Sequence, residues 1–396
     1  MSVIRAQPTA EGVVARGFYA GSMPSVASRR ALRPGLDRPR TQYAWPSSLL
    51  RSEGDRPLVY LDMNQWIYLA QAATGHANGK RYEKVLEALR SAGGRVVIPL
   101  ASAHYMEVDG IRDAGRRSNL ARLMEELSGF VCFMPRSSVM RVELDAALAQ
   151  LLGTPSLFPS APLLGLGVIQ AFGRRGGLTV HSEEEGDVTA RVRQEWPGGP
   201  AAYDAFSRAA DLQVTRDVLR GPAGEGEVAE MRARGWDPTV ARRIAEDRAQ
   251  GERELAQRLV AKPEYRDRVR DVVAGRYLAF ELVNAFQEAC HAHRRVDLVA
   301  ELTEDIDRAR RLTDSMPSAD AWISLLTAAH RNPQSRWEPN DIFDFDALSV
   351  AIPYCDVVVT DRHACSLANA ARLPQRLGTK VIPTLDQLVP ALGGML

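Results

Sequence analysis

Lysine is almost missing from this 396-residue chain: it stands only at positions 80, 84, 262 and 380, and arginine carries nearly all of the positive charge. Arginine suits forked contacts to phosphate. With Lys+Arg at 50 against Asp+Glu at 49, however, the net charge is +1, and no global field draws nucleic acid toward the chain. Any such contact must come from a local patch. Cysteine is scarce too: Cys132, Cys290, Cys355 and Cys365 form no CxxC or paired spacing, which argues against a disulfide framework and for reduced thiols in a cytoplasmic protein. Long apolar runs are lacking. The longest, LLGLGVIQAF (Leu163 to Phe172), is short and broken by glycine, so no membrane crossing is expected. What remains, 45% hydrophobic and 25% charged residues, is an ordinary globular composition with length for two or three domains.

Against that background four acidic residues stand out by position. Asp62 closes LVYLD, an apolar and aromatic run that reads as a buried strand ending in a carboxylate. RVVIPL (Arg95 to Leu100) follows the Gly93-Gly94 turn signal and reads as a second strand, and the next segment, ASAHYMEV, carries Glu107 in the first two turns of a helix. In NDIFDFDALSVAIPYCDVVVTD a helix runs away from the rim from about Asp344, meets Pro353, and the strand VVVT returns to Asp361. About nine helical residues span roughly 13 Å, and about five strand residues roughly 16 Å. Asp344 and Asp361 are therefore expected at one rim, outside the carboxyl ends of the strands, where ligands of open α/β sheets bind.

Two carboxylates about 4 Å apart repel by roughly 4 kcal/mol at an effective dielectric near 20, so four converging ones require protons or cations. An oxygen-only set without His or Cys suits Mg²⁺ or Mn²⁺. One or two such ions would activate water and stabilise the leaving oxygen of a phosphodiester. Taken singly, an Asp after a strand is more often a turn former or N-cap; the joint placement carries the inference.

The third carboxylate is open between neighbours. Asp341, Asp344, Leu348 and Ala351 share one helical stripe, while Asp346 shares another with Ser349, Val350 and Pro353. The stripe with Leu348 turns toward the sheet, which ranks Asp344 first and Asp346 second, with Asp341 as an outer group or helix cap.

Three blocks, LDMNQWIYLA (Leu61 to Ala70), PLASAHYMEV (Pro99 to Val108) and DFDALSVAIPYCDVVVTDRHA (Asp344 to Ala364), resemble the acidic blocks of PIN-like nuclease domains. The resemblance covers roughly a third of the chain. It implies a three-layer αβα fold with a central parallel sheet and a metal-dependent nuclease, most often a ribonuclease, many members being bacterial toxins or RNA-processing enzymes. It further implies that Asp62 is the first metal ligand, Glu107 the second acidic residue and Asp361 the fourth, with the third among Asp341, Asp344 and Asp346. DALSVA after Asp346 is similar to the stretch that follows the third acid in many members. Asn64 fits a polar position after the first Asp; Thr360, Arg362 and His363 are candidates for the polar rim and for phosphate. The expected partner is nucleic acid, RNA before DNA. The alternative is a silent PIN-like module that binds a protein partner, or a second copy, through its helical segment.

The remaining sequence divides accordingly. Residues 1–55, rich in Arg, Pro, Ser and Gly with no sustained periodicity, read as a disordered tail. Residues 56–135 and 338–396 read as the two parts of the α/β domain, with YEKVLEALRSA as its first crossover helix. Residues 136–337 read as a mostly α-helical insertion without strand signals. Within it Cys290 and His293 share a helical face, but no second ligand pair follows, so no metal site is expected there. The arginines of 240–270 alternate with acids and read as a salt-bridged face, with a phosphate-tracking groove as the lesser reading.

Overall fold

A computed structural model describes residues 43–393, apart from 52, 53, 175, 176, 223, 234, 236, 238, 333 and 334. The apolar run before Asp62 forms the strand Val59–Leu61, buried throughout. It pairs in parallel with Val357–Val359, which pairs in parallel with Lys380–Ile382; Leu61 lies opposite Val359, and Val359 opposite Ile382. On the other edge parallel bridges join Leu58 to Val97 and Leu100 to Cys132. The hydrogen bonds Val59 N–H to Val97 O (2.9 Å) and Phe133 N–H to Leu100 O (2.8 Å) carry these bridges.

The expected strand over Arg95 to Leu100 is thus reduced to bridges at Val97 and Leu100. Pro99 between them has no N–H to donate, which interrupts a regular ladder. The Leu164–Leu166 strand adds antiparallel to Val131–Phe133.

Side chains alternate across a strand, and here the two faces join two separate cores. Val59, Leu61, Val357 and Val359 pack with Trp66, Leu86, Leu89 and Met124 of the helices Met63–Ala73, Glu83–Ala92 and Ala114–Ser128. Tyr60 and Val358 pack with Val142, Ile323, Leu326 and Leu348 of the helices Arg136–Leu152, Pro317–His330 and Pro339–Tyr354. The fold is mixed α/β, dominated by helices. The first crossover helix ends as its sequence predicts, at Gly93 with φ of 51°, a left-handed cap.

Two readings need correction. Helices of the 136–337 insertion build one of the two cores beneath the sheet together with residues of the flanking parts, such as Tyr60, Leu348 and Val358. The insertion is not without strands: Ala161–Pro162, Leu164–Leu166, His181–Ser182 and Gly186–Asp187 lie within it. The tail reading fails at its end. Residues 1–42 lie outside the described residues, but Tyr43, Ala44 and Leu49 are buried, Leu49–Leu50 pairs in parallel with Ala161–Pro162, and the Tyr43 hydroxyl donates to Asp320 Oδ2 at 2.7 Å. Leu49 is fully buried. Leu49→Ala is expected to lower unfolding free energy by about 2–5 kcal/mol, read by chemical denaturation; an unchanged midpoint would mean the segment does not belong to the core.

No helix among the described residues is long and apolar enough to cross a membrane.

Candidate active site

Asp62 follows its strand directly and caps the Met63–Ala73 helix: Met63 N–H donates to Oδ1 at 2.5 Å. Its other oxygen accepts from Thr360 Oγ1 at 3.2 Å. Asp361 does the same one strand over, capping Arg362–Ala370 with Ala364 N–H donating to Oδ1 at 2.8 Å. The two acids therefore sit side by side at the carboxyl ends of adjacent parallel strands, each at a positive helix N-terminus. Capping accounts for one oxygen of each.

It does not account for Glu107 or Asp344. Burial, then the Asp62 charge, pushes the Glu107 carboxyl up to about 8. Burial, then the charges of Asp62, Glu107, Asp361 and Asp341, raises Asp344 well above the carboxylate range. Asp62 itself is pushed up to about 6 by burial and by Asp361, its hydrogen bonds partly offsetting this. The phenol of Tyr60, on the same strand face as Asp62, is raised by burial and by the charges of Asp62, Glu107 and Asp344. No cation ranks among the main influences on these three carboxyls. Asp62, Glu107, Asp344 and Asp361 thus share one mutually repelling, partly buried site.

Asp346 is not part of it. Its carboxylate accepts from Arg248 Nη1 at 2.5 Å and Nη2 at 2.9 Å, and Arg136 Nη1 lies 3.4 Å away. Burial acts to raise its pKa, yet Arg136 and Arg248 hold it below its ordinary value. Its place on the far stripe of the helix sends it to these guanidiniums. Asp341 closes a capping box, accepting from Glu338 N–H at 2.8 Å, and its charge faces His363. Asn64, Arg362 and His363 are exposed on first helical turns. His293 Nε2 lies 2.9 Å from Asp145 Oδ1, a structural pair far from a ligand set.

Two residues escaped the sequence reading. Gln65 is buried; its Nε2 reaches Thr360 O at 3.5 Å, and its Oε1 has no hydrogen-bond partner among the described residues. His104 is fully buried, three residues before Glu107. Its Nδ1 accepts from Ala101 N–H and its Nε2–H donates to Leu61 O, both at 2.8 Å, while its ring stacks on Tyr60. Burial lowers its pKa to about 4, the bond to Leu61 partly opposing this, so the ring is neutral. It ties the residue before Asp62 to the start of the helix that carries Glu107. His104→Phe keeps the stack and strands two buried backbone groups; it is expected to lower unfolding free energy by about 1–3 kcal/mol, and a variant as stable as the parent would remove His104 from the scaffold of the site.

The donor set suits a hard divalent cation by chemistry and by charge. Among the described residues no group of three or more His, Cys, Asp or Glu side chains stands arranged to hold a metal ion, so binding one requires these carboxylates to swing together. The chain matches no protein-family model, no curated protein and no solved structure.

Proposed function

We propose that this chain is a PIN-like, Mg²⁺- or Mn²⁺-dependent nuclease, acting on RNA before DNA. The observation that carries the reading is the shared site of Asp62, Glu107, Asp344 and Asp361, in which burial and neighbouring carboxylates raise Asp62, Glu107 and Asp344 and leave Glu107 and Asp344 protonated in neutral solution. Strand adjacency supports the fold side of it: 131–133, 97–100, 59–61, 357–359 and 380–382 lie in that order, and chain order reverses beside 59–61. Ligands of doubly wound sheets bind at that reversal.

A divalent ion in such a site supplies an activated water and charge stabilisation for the leaving oxygen. The chain's own part is positional. Asp62, Asp344 and Asp361 would hold the ion, with Asp62 steadied by Thr360 and by its helix N-terminus. Glu107, raised by burial and by the Asp62 charge, would orient the attacking water and, once ionised, take up its proton. Gln65 offers an unused acceptor beside Thr360 for an ordered water.

The second reading, a silent module that binds a protein through residues 136–337, is favoured by the absence of a ready three-ligand group among the described residues. One assay separates them. Labelled single-stranded RNA and DNA are incubated with the full chain in Mn²⁺, Mg²⁺ or EDTA. Cleavage of RNA that requires the ion is expected; no cleavage of either strand under any ion would favour the silent module.

A further inference from the structure

Around the Pro339–Tyr354 helix from Asp344 opens a cleft of about 260 Å³. Ile342 and Phe345 of that helix form its floor, and Phe345 is the residue after Asp344, so the cleft lies within one helix diameter, about 10 Å, of the acidic site. At its mouth stands Phe280, 79% exposed, delivered by a π-helical turn at Tyr277–Leu282. An aromatic ring this exposed gains nothing from the fold, and π turns recur at functional sites. Trp322 forms part of the wall.

The charges lining the cleft decide what it takes. Arg248 is already bonded to Asp346 and Glu281, and Arg276 to Glu252. Two guanidiniums thus face three carboxylates, Asp247, Glu252 and Glu281. This lining repels a phosphate. It accepts a flat, neutral ring whose edge donates hydrogen bonds, since each carboxylate oxygen has more than one lone pair to offer. The volume falls below the roughly 300–1,000 Å³ of drug-sized ligand sites, which suits one ring system without its sugar and phosphate.

We propose that this cleft receives an unpaired nucleobase bearing an exocyclic amino group, from the same strand that crosses the acidic site. The proposal deepens the nuclease reading and rests on it for the identity of the strand. Stacking on Phe280 makes the substrate single-stranded, because a paired base cannot leave its stack without cost. Carboxylates accept from amino groups of adenine, cytosine or guanine, and uracil and thymine lack them.

The test is the affinity of the full chain for labelled oligoadenylate and oligouridylate, read by fluorescence anisotropy in EDTA so that neither strand is cut. Oligoadenylate is expected to bind at least about tenfold more tightly. Phe280→Ala should lower that affinity by roughly 5- to 150-fold, the worth of one stacked base, with an unchanged melting temperature because the ring is exposed. Phe280→Tyr should restore it. Equal affinity for the two strands, no binding of either, or full oligoadenylate affinity in Phe280→Ala would overturn the cleft proposal, and ion-dependent cleavage by the same protein would leave the nuclease reading standing. A base preference lost in Phe280→Ala, in a protein that cuts neither RNA nor DNA, would instead uphold the cleft and sink the nuclease.

Discussion

Asp344→Asn is expected to reduce phosphodiester cleavage by several orders of magnitude while leaving the ion-free protein at least as stable as the parent. The activity loss follows from removing a carboxylate that would hold the ion responsible for both nucleophile and charge stabilisation. The stability follows from the same geometry: burial and neighbouring carboxylates force Asp344 to take up a proton on folding, and a neutral amide removes that cost. Asp346→Asn, two residues on, should behave in the opposite way. It strands the guanidiniums of Arg248 and Arg136, and breaking a buried pair costs about 3–5 kcal/mol. Here the low end applies, because Glu281 also contacts both arginines and the Asp346 side chain keeps 23% of its surface exposed. Denaturation curves and single-turnover cleavage on the two variants separate the roles. Equal activity losses at equal stability would return Asp346 to the site.

The second large effect is on pH. In the ion-free protein Glu107 keeps its proton up to about pH 8, whereas in the unfolded chain it releases it near 4.5. Its contribution to stability is therefore complete below 4.5 and is lost as pH rises through 8. His104 runs the other way, since its lowered value makes its contribution present above 6.5 and lost as pH falls through about 4. Above 6.5 the histidine no longer opposes the carboxyl. Between pH 6.5 and 8 in EDTA, stability should fall by about 1.5–2 kcal/mol on account of Glu107 alone. Buried Glu143, pushed up to about 7 by burial, adds in the same direction near the lower end. Asp344, raised further still, adds a slope of the same sign, so Glu107→Gln should remove the Glu107 share and leave the remainder. Millimolar Mg²⁺ or Mn²⁺ should raise the melting temperature more at pH 8 than at 6.5, because protons no longer compete for the oxygens. A parent whose stability rises across that window would show that Glu107 is ionised without an ion.

Much of this site was legible in the sequence because its parts lie at ends of strongly marked elements. VVV before Thr360 and VYL before Asp62 are buried on both faces, and such strands read as plain apolar runs. The stripe argument put Asp344 and Asp346 on different faces, and the two do meet different partners, but the reason Asp346 turns away, Arg248, stands 98 residues earlier in the chain. No local pattern announces that pair. His104 was hidden for a similar reason: a lone histidine in a helical segment says nothing of the two backbone groups it joins. The Tyr43–Leu50 segment is too short to show a period, and its burial depends on Asp320 and Ala161, far along the chain. The helices of 136–337 were recognisable by spacing. That they build one of the two cores was not, since an apolar stripe does not name the surface it will cover.

The central claim is that Asp62, Glu107, Asp344 and Asp361 form one cation site, in which a divalent ion replaces the protons held by Glu107 and Asp344. Calorimetric titration of Mn²⁺ into the full chain at pH 7, repeated in two buffers of different ionisation enthalpy, counts those protons directly. Binding with net proton release by the parent, and weakened binding by Asp62→Asn and Asp361→Asn, is the predicted result. Absence of Mn²⁺ binding by the parent, or binding that neither substitution weakens, would contradict it.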